Sequence, residues 1–187
     1  GSWKRCRDRR PRDREAAVRI VAMALDAKQT YVAEFASAEA ELHGPAWLRE
    51  VRKAAIGRFE ALGFPTQKHE DWKYTNLAPL LRTPFKPAIL GRPDGVVSER
   101  LELFTFGILK TTRLVFVNGR YSPRLSYLRP LPEGARIVAL ADILHQEPEA
   151  LESHLARCAR YQDDSFVALN TAFFLDGAYV EIPKNTV

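Results

Sequence analysis

Long hydrophobic runs are missing from this chain of 187 residues. No stretch approaches the roughly 18 consecutive apolar residues that a membrane-spanning helix needs, and no apolar core of a secretory signal lies near the start. Cysteine is scarce: Cys6 and Cys158 are the two present, which excludes a disulfide framework and fits a reducing cytoplasm. There is no Gly-rich phosphate loop followed by Lys-Ser or Lys-Thr, so ATP hydrolysis is not expected of this chain. A GxSxG nucleophile turn, an HExxH helix and a CxxC pair are also absent, which weighs against an autonomous enzyme. No internal repeat or low-complexity tract is found. What is present is ordinary globular composition, 46% hydrophobic and 27% charged, enough for one domain of average size and the start of a second.

A net charge of +5 suggests nucleic acid until it is divided. Residues 1–22 hold eight Lys/Arg and three Asp/Glu, and the rest of the chain has twenty of each. The body is therefore neutral and offers no electrostatic footprint for a phosphate backbone. Gly1-Ser2 reads as a cloning scar, and Met23, the single methionine, as a natural start. Residues 1–22 are then a basic leader, disordered or artificial in origin. A small nucleic-acid-binding module using this Arg-rich arm is the alternative function from another class.

Residues 23–95 are expected to form an N-terminal helical domain with a linker. Between Leu25 and Leu42, Tyr31, Val32, Phe35, Ala38 and Leu42 recur at helical spacing. Gly44-Pro45 ends that helix, and Pro45 can open the next. There Leu48, Val51, Ala55, Phe59 and Leu62 form an apolar stripe, with Arg49, Arg52, Lys53 and Arg58 mostly off it. Gly63 and Pro65 stop the second helix, and so tight a connection predicts an antiparallel helical hairpin. Thr66 is placed to cap a short turn, and Thr75 or Asn76 to cap another before Pro79. Trp72 and Tyr74 are suited to fasten this loop onto the hairpin. The proline- and glycine-rich passage Thr83–Gly95 is the best linker.

Residues 96–187 change period. Arg113–Val117 predicts a strand, Asn118-Gly119 a hairpin turn and Arg120–Ser122 the return. Ala135–Leu140 predicts a further strand, Pro148–Arg160 a helix with Leu151, Leu155 and Cys158 inward, and Phe166–Phe174 a buried helix. Gly177–Ile182 alternates as a half-buried strand does. With the sequence stopping five residues later, that strand is expected to lack a partner.

Two clusters invite a chemical reading. Lys68-His69-Glu70-Asp71 could be an acid–base set, yet neighbouring residues on a helix diverge, and a capping, salt-bridging turn is the simpler role. His154 and Cys158 stand four apart, a spacing that suits two metal ligands, but two are too few for a tight site.

Three stretches point to a family: GFPTQKHEDWKYTNLAPL (Gly63–Leu80), LVFVNGRYSP (Leu114–Pro123) and ALNTAFFLDGAYVEIP (Ala168–Pro183). In this order they resemble the SufB/SufD family of iron–sulfur cluster assembly scaffolds, and the first and third look more like its SufD branch. The resemblance runs from about Leu42 to Pro183. Its signature positions are Gly63, Pro65, Thr66, Lys68, His69, Glu70, Trp72, Lys73, Tyr74, Asn118, Gly119, Asn170 and Thr171, all with architectural roles and none catalytic or metal-binding. Because family members are longer, the resemblance implies an N-terminal fragment: α+β, a helical hairpin plus short helices, then mixed strands leading into a truncated parallel β-helix. It implies a bacterial cytoplasmic, non-enzymatic scaffold that works with a SufB-like paralogue and a SufC-like ATPase. The cluster would be assembled transiently by the full complex, with no cofactor bound by this fragment. The N-terminal domain would cover the end of the β-helix, since solenoid ends need caps.

Overall fold

The computed structural model describes residues 11–83, 85–88, 101 and 111–186. Helix α1 (Pro11–Ala38) runs through a short 3-10 turn into a loop, then α2 (Ala46–Leu62). The signature segment follows with a 3-10 turn (Glu70–Trp72) and a one-turn helix α3 (Ala78–Arg82). Strands β1 (Phe116–Val117) and β2 (Arg120–Tyr121) form a hairpin, β3 (Arg136–Ala139) leads into α4 (Leu140–Gln146) and α5 (Glu149–Glu152), and α6 (Ser165–Phe173) precedes β4 (Ala178–Glu181). The class is α+β.

The predicted hairpin of helices is present. Lys28 Nζ donates to the Glu60 carbonyl at 2.9 Å, the Tyr31 ring meets Phe59 edge-on at 6.2 Å, and Lys53 pairs with Glu39 at 3.0 Å. As the chain advances from Lys28 through Tyr31 to Glu39, its partners step back from Glu60 through Phe59 to Lys53, so the pair is antiparallel. The first helix starts at Pro11 rather than near Leu25, so residues 11–22 of the leader are helical. Arg, Glu and Ala there are good helix formers, and a proline at the first position loses no hydrogen bond. Residues 1–10, with Cys6, and the Gly91–Gly95 turn lie outside the described residues.

Helix α6 completes the main core by packing on α2. Phe35, Leu42, Ala55, Ile56, Phe59, Phe64, Ala168 and Ala172 form one buried cluster. Alanines on α6 let it approach α2 closely, which leaves room for the aromatic rings of Phe59 and Phe64 at 5.1 Å. A second cluster joins Leu48 of α2 to Ile143, Leu144 and Leu151. Fully burying a side chain such as Leu48 or Phe59 contributes about 1.5–3 kcal/mol, so α2, which faces both clusters, organises the fold.

The structure bears out the hairpin turn and corrects three expectations. Val117-Asn118-Gly119-Arg120 makes the predicted turn, with positive φ at Asn118 (49°) and Gly119 (77°), a geometry that suits the twist of a two-residue hairpin. The terminal strand, however, has a partner: β4 pairs antiparallel with β3, Ala178 opposite Ala139 and Glu181 opposite Arg136. Among the described residues every strand pairing is antiparallel, and the start of a parallel β-helix is not seen. The third correction concerns Pro148–Arg160, where only Glu149–Glu152 is helical. Ala156 takes a positive φ of 59°, which no α-helix accommodates, and Cys158 is exposed rather than inward.

Candidate functional site

The signature segment begins where α2 stops. Gly63 adopts φ 66° and its N–H donates to the Phe59 carbonyl at 2.7 Å, the glycine termination the sequence predicts. Phe64 and Pro65 are buried beneath the turn that follows. The Thr66 hydroxyl accepts from the Lys68 N–H at 3.3 Å, and His69 Nδ1 accepts from the Thr66 N–H at 3.0 Å. His69 therefore closes the turn as a hydrogen-bond acceptor. Glu70 and Lys73 pair at 3.5 Å across one turn, and the Asn76 side chain accepts from the Ala78 N–H to cap α3. Lys68, His69, Glu70 and Asp71 are all exposed and do not converge. The turn is a capping device, as its spacing suggests.

Trp72 and Tyr74 part company. The Trp72 ring lies 5.0 Å from that of Phe166 on α6, tilted by 31°, and fastens the loop to the core. Tyr74, expected to do the same, is 90% exposed, and Lys73 Nζ lies 5.6 Å from its ring centre.

The other two signature stretches reach the same helix. Asn118 and Gly119, at the tip of the β1–β2 hairpin, and Asn170, on α6, line one cavity of about 410 Å³, with Tyr31 and Asp176 on its wall. Thr171, next to Asn170, is buried. The three motifs, far apart in sequence, thus gather around α6: Phe64 and Trp72 on Phe166, the hairpin tip beside Asn170. His154 and Cys158 do not join them. Both are exposed beyond the end of α5, and among the described residues no group of three His, Cys, Asp or Glu could hold a metal ion.

Two further residues fasten this assembly: Arg52, which the sequence pattern sets off the apolar stripe but the structure buries, and Asp176. Arg52 is 2% exposed although its neighbours Arg49, Lys53 and Arg58 face solvent. Its guanidinium donates to the Leu42 carbonyl at 2.8 Å, to His43 at 2.9 Å and, through its other nitrogen, to Phe174 at 2.9 Å, while lying 5.2 Å from the Phe174 ring centre. It ties the α1–α2 loop to the end of α6. Burial pushes it down to about 10, so it remains charged at neutral pH. The signal was its position: Leu48, Arg52, Ala55 and Phe59 follow helical spacing on the buried face.

Asp176 plays the corresponding part among the strands. One carboxylate oxygen accepts from the Tyr121 N–H at 2.8 Å. The other accepts from Ala141 at 3.0 Å and Gly177 at 2.8 Å. Hairpin, α4 and β4 are joined through one side chain. Asp164 caps α6 by accepting from the N–H groups of Phe166 and Val167, both at 2.8 Å.

The caps, ring contacts and hydrogen bonds of this arrangement position and support its elements. Comparison with known proteins agrees on what it belongs to. Residues 25–187 match the family model described as the SufBD protein N-terminal region. An iron–sulfur cluster assembly SufBD family protein of Synechocystis is 30% identical over 135 residues, 72% of this chain and 29% of that protein. Iron–sulfur cluster assembly protein SufD of Escherichia coli is 45% identical over 64 residues, 34% of this chain and 14% of that protein. A chloroplastic SufBD family protein of Arabidopsis thaliana is 26% identical over 153 residues, 76% of this chain and 28% of its own length. The chain spans under a third of the length of each of these relatives. With its three signature stretches gathered on one helix inside the matched region, the chain belongs to the SufBD family of iron–sulfur cluster assembly proteins and corresponds to that family's N-terminal region.

Proposed function

We propose that this chain is the N-terminal part of a SufD-like scaffold subunit, non-enzymatic itself, that helps to build iron–sulfur clusters in the bacterial cytoplasm. Such a subunit works with a SufB-like paralogue and a SufC-like ATPase, and the cluster is cargo rather than a resident cofactor. Iron and sulfide must be held by thiolates and imidazoles away from competing ligands during assembly. In this reading those ligands and the ATPase-binding surface lie in the rest of the protein, and the helical domain covers one end of a parallel β-helix. The observation that carries the reading is the gathering of all three signature stretches on α6, where Trp72, Phe166 and the Asn118-Gly119 turn serve architecture. No helix among the described residues is long and apolar enough to cross a membrane.

The test is an exchange. Residues 25–187 replace the matching region of Escherichia coli SufD, and the chimera is assayed for cluster assembly in a strain that depends on it. Restored activity of iron–sulfur enzymes is the expected result. A chimera that is produced and folded yet restores nothing would sink the proposal. A companion pull-down separates the surfaces: the SufC-like ATPase should capture the chimera and leave the 187-residue chain behind.

A further inference from the structure

Helix α1 carries an apolar face that the described residues do not use. Val18, Ala22, Leu25, Gln29, Ala33 and Ala36 are spaced by four, three, four, four and three, so they fall along one side of the helix. All six are exposed, Val18 by 69% and Leu25 by 55%. The opposite side of the helix, with Ala27, Tyr31 and Phe35, is the one packed against the core. A solvated helix face normally carries charge; here the one strongly polar member is Gln29.

We propose that this face pairs with the same face of a second copy, forming an antiparallel, two-fold symmetric helix dimer. The argument is the pattern of charge beside the stripe. Arg19 and Asp26 are seven residues apart, two turns along the same flank, and both are exposed. In an antiparallel pair, like flanks face each other. With Ala22 on the two-fold axis, Val18 of one copy meets Leu25 of the other, and Arg19 of one lies beside Asp26 of the other. Symmetry makes each contact twice. A parallel pair would set opposite flanks together, and Arg19 and Asp26 would never meet. Ala22 at the crossing lets the two backbones come close, and Ala33 presents no bulk to the start of the second helix. The stripe is narrow, so the dimer is reversible and weak, in the class of small interfaces. This inference does not rest on the family reading.

Sedimentation velocity on the whole chain, from low micromolar to several hundred micromolar, tests it. The expected result is a concentration-dependent monomer–dimer equilibrium that Leu25→Glu weakens at least about tenfold. Arg19→Asp and Asp26→Arg each place like charges opposite one another and should weaken self-association of the single variant. An equimolar mixture of the two should dimerise again, because each aspartate then faces an arginine. All substituted positions are exposed, and circular dichroism on each variant checks that the helix persists. A chain that stays monomeric throughout, a dimer untouched by Leu25→Glu, or a mixture no tighter than its components would each overturn the proposal.

Discussion

Arg52 shows how much one side chain can hold. Three carbonyls from two distant segments accept from its guanidinium, which is itself 2% exposed. Arg52→Met keeps the volume and the contact with Phe174 but leaves those acceptors unsatisfied. Each buried acceptor without a donor costs about 1–3 kcal/mol, so a total loss of about 2–5 kcal/mol is expected in urea unfolding, with the slope unchanged. Arg52→Lys should lose less, because one ammonium reaches some of these oxygens but cannot fork across both segments. A Met variant within about 0.5 kcal/mol of the parent would show that the carbonyls find other donors. The two aromatics of the signature offer a second contrast. Trp72→Ala removes a ring packed on Phe166 and should cost about 2–3 kcal/mol, whereas Tyr74→Ala, at a position 90% exposed, should stay within about 0.5 kcal/mol. Unfolding of both variants side by side decides it: equal losses would mean that Tyr74 supports the loop after all.

Elements in this domain are held by caps supplied from afar. Helix α4 has no capping side chain at its own start; its Ala141 N–H is taken by Asp176, which lies thirty-five residues later. Asp176→Ala frees the N–H groups of Tyr121, Ala141 and Gly177 and should cost about 2–4 kcal/mol. Asp176→Asn should be intermediate, since its amide oxygen can serve only one side and its NH₂ opposes a donor. Hydrogen exchange at those three amides should rise together in the Ala variant; a rise at one alone would refute a shared anchor. The same feature explains what sequence could and could not reveal. The α1–α2 hairpin, the Gly63 stop, the Asn118-Gly119 turn and α6 are local in cause, set by periodicity and turn chemistry, and are where the pattern places them. Helix α4 was unpredicted because its cap is remote, and β4 was left without a partner because pairing with β3 is a long-range event. Arg52 escaped notice because charge outweighed its register on the helix. The capped turn of the loop was legible in Thr66 and Asn76, but nothing local distinguishes an inward Trp72 from an outward Tyr74.

At the scale of the whole molecule, charge and packing divide at nearly the same place. The net positive charge sits within residues 1–22, while the core takes its first contacts from Ala27 and Tyr31. Removing residues 1–22 should therefore leave the melting temperature within a few degrees of the parent, roughly the shift of 1 kcal/mol in a domain of this size. It should also abolish any retention on DNA at low ionic strength. Counterion release makes such binding fall steeply with salt, so a salt series on both forms reads the leader directly. Tight, salt-sensitive binding that survives the deletion would mean that the neutral total of the body hides a basic face, and the nucleic-acid alternative would gain the ground that the family reading now occupies. The deletion also removes Val18 and Ala22 from the proposed dimer stripe and Arg19 from its flank. Leu25→Glu separates the two effects, because it lowers the net charge by only one while disrupting the stripe. Loss of dimer with DNA retention largely kept would place self-association on the helix face and electrostatic binding on the leader. Loss of both from this one substitution would show that the basic arm binds DNA only when two copies present it together.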